Sequence, residues 1–241
     1  MTYLRSAVFT PLLVLWTAVF ALYMPWLAWR GNPADTRSRA EMWSRGLVRI
    51  LRRLIGLTYV EIGTENRPSV PALYVANHQS AWETLVFNLL VPHTAIVLKE
   101  ELYRIPVFGW YLKHSAMIGI DRAGGASAMK KLLREARSAV AEGRSVLIFP
   151  EGTRRAPHEV AEFHRGVLLL YKALGLPVVP MALNAGLFWK ARSFLVRPGV
   201  VTVSYLPTIP PGLPDQAFLQ AARTAIYTER DRLVALVEDA A

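Results

Sequence analysis

From residue 57 onward the chain alternates short apolar runs with helix-like stretches, and three of the runs stop at a polar cluster. Leu57 to Ile62, Ala72 to Ala76, Thr94 to Lys99, Ala116 to Ile120, Ser145 to Phe149, Pro177 to Leu183 and Gly199 to Leu206 have the length of buried strands. Between and after them, Ser80 to Val91, Ser127 to Glu142, Gly166 to Leu174 and Asp215 to Val237 carry helical spacing, the second and third closed by Gly143 and Gly175. This alternation predicts an α/β fold, a largely parallel sheet flanked by helices on both faces. In such sheets, sites collect at the carboxyl ends of the strands. The polar clusters Asn77 to Glu83, Asp121-Arg122 and Glu151 to Arg155 each follow a strand.

The first cluster holds the most chemistry. His78 and Glu83 are five positions apart, roughly 140° around an ideal helix, so both cannot occupy one face of it. His78 is therefore expected just before a helix. Ser80-Ala81-Trp82-Glu83 reads as a capping box, with Ser80 as N-cap and Glu83 as the third helical residue. Two readings stay open at this point: Glu83 only caps, or it also orients His78 as a general base. If the clusters converge, Arg122, Arg154 and Lys99 offer cations for a phosphate, and Gly152 permits close backbone approach.

Upstream, Ala7 to Trp29 contains no charged residue over 23 positions, enough to cross a hydrocarbon core of about 30 Å. It lacks the short apolar core and small-residue cleavage site of a signal peptide, and Pro11, Pro25 and its tryptophans leave a re-entrant insertion as the alternative to a span. Seven arginines between Arg30 and Arg53 face only Asp35 and Glu41, which places that side in the cytoplasm. Residues 1–56 are accordingly read as a membrane-associated helical element on anionic lipid, and 57–241 as one α/β domain. A net charge of +10 also suits nucleic acid, but the apolar segment and the absence of any zinc-finger or aromatic single-strand motif argue against that partner. With no cysteine, thiolate catalysis and cysteine-held metals are excluded. His93, His114, His158 and His164 have no metal-ligand spacing.

Taken in order, the clusters resemble the sequence blocks of the glycerolipid acyltransferase superfamily, and in particular its bacterial 1-acyl-sn-glycerol-3-phosphate acyltransferases. Asn77-His78-Gln79-Ser80-Ala81-Trp82-Glu83 is similar to the family's Asn-His-x-Ser-x-x-Asp, with glutamate for aspartate. Gly119-Ile120-Asp121-Arg122 resembles the second block with its glycine closer to the arginine, Phe149 to Arg154 reproduces Phe-Pro-Glu-Gly-Thr-Arg, and Leu176 to Pro180 is similar to the fourth. Lys99 to Leu102 and Ile105 to Gly109 resemble the segment between the first two blocks. The resemblance spans roughly residues 57 to 206.

It implies an acyl group passing from acyl-coenzyme A or acyl-carrier protein to the sn-2 hydroxyl of lysophosphatidic acid, with no cofactor beyond that co-substrate. His78 and Glu83 are then catalytic, and Lys99, Arg122, Glu151, Gly152, Thr153 and Arg154 bind substrate. A different acceptor, glycerol-3-phosphate or a lyso-ornithine lipid, or a non-catalytic lipid-binding protein, are the competing readings. Ser80 as a nucleophile fits poorly, being suited to capping, and no Gly-x-Ser-x-Gly elbow occurs.

Overall fold

A computed structural model describes residues 1–121 and 123–239. In it the uncharged stretch is two helices rather than one, α1 (Thr2–Ala21) and α2 (Met24–Arg30), with Leu22 and Tyr23 between them. The restart falls at Pro25, whose missing N–H and fixed φ suit a first helical turn; Pro11 is carried inside α1. By length and composition α1 is apolar enough to cross a membrane, and it leaves Leu4, Val8, Leu15 and Val19 exposed. Gly31 in the left-handed region ends α2. Asn32, accepting from the Ala34 amide at 2.9 Å, then caps α3 (Pro33–Ile50), which runs on through a π-helical turn to Gly56. α1 lies on α3 through paired tryptophans: Trp16 Nε1 donates to Trp43 O (2.9 Å) and Trp43 Nε1 to Thr17 Oγ1 (3.2 Å).

The remainder alternates as expected: β1 (Leu57–Ile62), β2 (Leu73–Ala76), α4 (Ala81–Leu90), β3 (Thr94–Lys99), α5 (Phe108–His114), β4 (Ile118–Ile120), α6 (Gly125–Ala141), β5 (Ser145–Ile148), α7 (Arg165–Leu174), β6 (Val178–Leu183), β7 (Gly199–Tyr205) and α8 (Asp215–Glu238). Residues Glu100–Arg104, which carry no clear period in the sequence, form a 3-10 turn. After it Val107 sits at φ 60°, ψ −62°, a tight turn closed by Phe108 N–H donating to Pro106 O, which starts α5.

The seven strands are ordered β1-β7-β6-β2-β5-β3-β4, every pair parallel except β6 with β7. β2 is buried throughout, and its alternation divides the core. Tyr74 and Ala76 join the apolar cluster of α1, α3, α4 and α5, whereas Leu73 and Val75 join that of α6, α7 and α8. The helix leaving β2, α4, thus covers one face, and the helix leaving β5, α7, covers the other. A crevice opens outside the carboxyl ends of such diverging neighbours. Both Asn77 to Glu83 and Phe149 to Arg155 enter it.

Candidate active site

His78 lies on the short link between β2 and α4, ahead of the helix. Ser80 is the N-cap: its hydroxyl accepts from the Trp82 amide at 3.1 Å, and the Glu83 carboxylate returns to the amides of Ser80 (2.8 Å) and Gln79 (3.0 Å). The same carboxylate, fully buried, places Oε2 at 3.4 Å from His78 Nδ1. The capping geometry therefore also brings the carboxylate close to the ring, with glutamate in place of aspartate. At 3.4 Å the pair is close but makes no hydrogen bond, and Nδ1 has no other partner; such catalytic contacts commonly tighten only in a substrate complex. With Nδ1 turned to Glu83, Nε2 is the nitrogen left to exchange a proton.

The third block grips His78 from the neighbouring strand. Phe149 stacks on the imidazole with centroids 4.2 Å apart, and Phe87 of α4 packs edge-on against Phe149. Pro150 and Glu151 make a β-turn closed by Gly152 N–H donating to Phe149 O (3.1 Å), with Gly152 at φ 72°, where glycine is strain-free. Arg155 N–H then donates to His78 O at 2.8 Å, and the His78 amide faces the Glu151 carboxyl. Glu151 is buried, and burial pushes its pKa up to about 8. The His78 N–H, the Tyr227 hydroxyl and Arg230 pull it down, while the Glu83 charge adds to the rise.

Flanking residues tie this link to the rest of the sheet. Asn77 makes a two-way bond with Leu183 at the end of β6, Nδ2 donating to its carbonyl (3.0 Å) and Oδ1 accepting from its amide (2.9 Å). Gln79 Oε1 accepts from Gly186 N–H at 3.0 Å, and Nε2 donates to Pro157 O. These partners lie 78 to 107 positions away in sequence, which is why local pattern does not reveal them.

Of the other expected substrate-binding residues, Thr153 and Arg154 are exposed at the crevice on the loop after β5, and Arg154 makes no ion pair among the described residues. Lys99 ends β3 exposed. Glu151 is turned inward rather than to solvent. Arg122 lies outside the described residues; the preceding Asp121 follows β4, an edge strand two positions from β5 in the sheet. Beside α4, a narrow, mostly apolar cleft of about 60 Å³ lies between α1, α3 and α5, lined by Phe20, Trp43, Leu85, Phe108 and Tyr111 among others. Among the described residues, no group of three or more histidine and carboxylate side chains is placed to hold a metal ion.

The chain as a whole matches known proteins. The profile of the family described as Acyltransferase covers residues 59–184, from β1 to the end of β6. The chain belongs to that family. It is 36% identical over 176 residues to the 1-acyl-sn-glycerol-3-phosphate acyltransferase of Pseudomonas aeruginosa, covering 73% of this chain and 68% of that protein. The coconut (Cocos nucifera) protein of the same name is 28% identical over 198 residues, 81% of this chain and 62% of its own length. The chain thus spans roughly two thirds of these relatives. The crystal structure of the 1-acyl-sn-glycerophosphate acyltransferase PlsC from Thermotoga maritima superposes with a TM-score of 0.74 at 23% identity, covering 97% of this chain and 98% of that one. That likeness establishes the acyltransferase fold, including the helices ahead of β1.

Proposed function

We propose that this acyltransferase moves a fatty acyl group from a thioester to the sn-2 hydroxyl of lysophosphatidic acid, forming phosphatidic acid in phospholipid biosynthesis. The observation that carries the reading is the contact of His78 with Glu83 in a crevice floored by the Phe149 to Arg154 turn; the printed names of the relatives supply the acceptor. His78 Nε2 accepts the proton of the acceptor hydroxyl as the oxygen attacks the thioester carbonyl, and the Glu83 carboxylate stabilises the imidazolium that forms. When the tetrahedral intermediate collapses, the C–S bond breaks and the imidazolium returns its proton to the leaving thiolate. The products are ester and free thiol, with His78 neutral again.

Arg154 and Arg122, with Lys99, serve the acceptor phosphate, and exposed Thr153 lies next to Arg154 on the loop after β5. The donor is acyl-coenzyme A or acyl-carrier protein, its chain directed to the apolar cleft beside α4. Residues 1–56 hold the domain on the membrane: α1 supplies the apolar segment, and exposed Arg45, Arg49, Arg52 and Arg53 face anionic headgroups on the cytoplasmic side.

An acceptor panel tests the assignment. With purified protein and labelled acyl thioester, Arg154→Ala is expected to raise KM for lysophosphatidic acid by ~10-fold or more and to leave kcat closer to wild type, as loss of a charge-assisted bond to bound substrate predicts. Transfer to a phosphate-free lysolipid that is faster than to lysophosphatidic acid and insensitive to Arg154→Ala would overturn the acceptor.

A further inference from the structure

Helix α8 begins beyond the stretch matched to the family, yet it reaches under the catalytic link. From it the Tyr227 hydroxyl approaches Glu151 Oε1 at 3.3 Å and is held by Ala161, whose amide donates to it at 3.2 Å and whose carbonyl accepts from it at 3.1 Å. Below the ring, the Arg230 guanidinium lies 4.3 Å from its centroid, itself buried and fixed by Glu159 O (2.6 Å) and the Asp231 carboxylate. Phe163 packs edge-on against the same ring.

We propose that Tyr227 is a positioning residue for acyl transfer: through Glu151 it fixes the main chain of His78, and so the place of the base. The inference rests on the function proposed above.

Glu151 has little else to hold it: its Oε2 has no hydrogen-bond partner, and the His78 amide only faces the carboxyl. The turn that carries Glu151 grips His78 on either side of it, through Phe149 stacked on the ring and Arg155 N–H donating to His78 O at 2.8 Å. A tyrosine hydroxyl carries one proton and two lone pairs. One lone pair takes the Ala161 N–H. When Glu151 is ionised the proton points to it; when Glu151 is protonated the carboxylic O–H donates to the second lone pair and the tyrosine proton turns to Ala161 O. Glu151 therefore keeps this partner in both protonation states, and the amide of His78 faces a carboxyl that does not swing. The groups facing Glu151 are Tyr227 and Arg230 from α8, Glu83 from α4 and the His78 link. A base displaced by about 1 Å loses up to ~10² in rate.

The test is Tyr227→Phe in the full chain in detergent micelles, since phenylalanine retains the ring contacts with Arg230 and Phe163 and removes only the hydroxyl. Tyr171→Phe, whose hydroxyl bonds Pro210 O in α7's own surroundings, is the control for losing a buried hydroxyl. Two readouts are taken. Kinetically, kcat should fall ~10-fold or more at unchanged KM in Tyr227→Phe alone. Independently of turnover, the His78 backbone amide in ¹⁵N-histidine-labelled protein, assigned by its absence in His78→Ala, should change its chemical shift in Tyr227→Phe and keep it in Tyr171→Phe. An unmoved His78 amide in Tyr227→Phe overturns the inference, as does a fall in kcat no larger than in Tyr171→Phe. If wild type fails to turn over lysophosphatidic acid, the proposed function fails, and the amide shift still decides the role of Tyr227.

Discussion

At the scale of the residue, Glu83 caps α4 and, in the function proposed, also orients His78, and the two roles can be separated. Its two oxygens receive the Gln79 and Ser80 amides, and one of them lies 3.4 Å from His78 Nδ1. Glu83→Gln keeps an acceptor oxygen for the cap but removes the charge that stabilises the imidazolium. Stability measured by urea unfolding should change by no more than about 1 kcal/mol, while kcat should fall ~10²-fold. Unchanged kcat would leave Glu83 a cap alone. The closeness of this pair was legible in the sequence because it is local: a capping box is a four-residue pattern, and it forces His78 off the helix. Asn77, Gln79 and Tyr227 were not legible, since their partners Leu183, Gly186 and Glu151 come from other strands and loops. No periodicity reports a hydrogen bond across a hundred residues.

At the scale of the element, strands were readable wherever a short unbroken apolar run met a turn residue, and β1 and β3 have the predicted bounds. Two places resisted. Between Lys99 and Gly109 the chain uses a 3-10 turn and a left-handed Val107, a conformation no propensity favours in a β-branched residue. Within the uncharged N-terminal stretch, hydropathy is continuous across Leu22 and Tyr23, so the break between α1 and α2 is invisible to composition. The α1 packing on α3 depends on Gly46, where any added Cβ would collide with the Trp16 indole. In an open helix interior glycine to alanine gains about 1 kcal/mol, whereas overpacking costs about 1–3 kcal/mol. Gly46→Ala should therefore lower the thermal midpoint and shift tryptophan fluorescence; a raised midpoint would show that Trp16 yields freely.

At the scale of the whole molecule, the alternation of strands and helices specified an α/β layer but left the strand order open. Order matters because it sets β2 beside β5, sends α4 and α7 to opposite faces, and so opens the crevice where His78 meets Phe149 to Arg154. The N-terminal helices cover the same face as α4, which brings the apolar cleft and the exposed apolar side chains of α1 to one side of the sheet. In the function proposed, a water-insoluble acyl chain and a headgroup phosphate approach the base, His78, from that side. The central claim is that His78 is that base. Acyl transfer from a labelled thioester to lysophosphatidic acid, compared between wild type and His78→Ala at equal folded amounts, tests it most directly. The account predicts product from wild type and a loss of ~10²-fold or more in the variant; equal activity in the two proteins would contradict it.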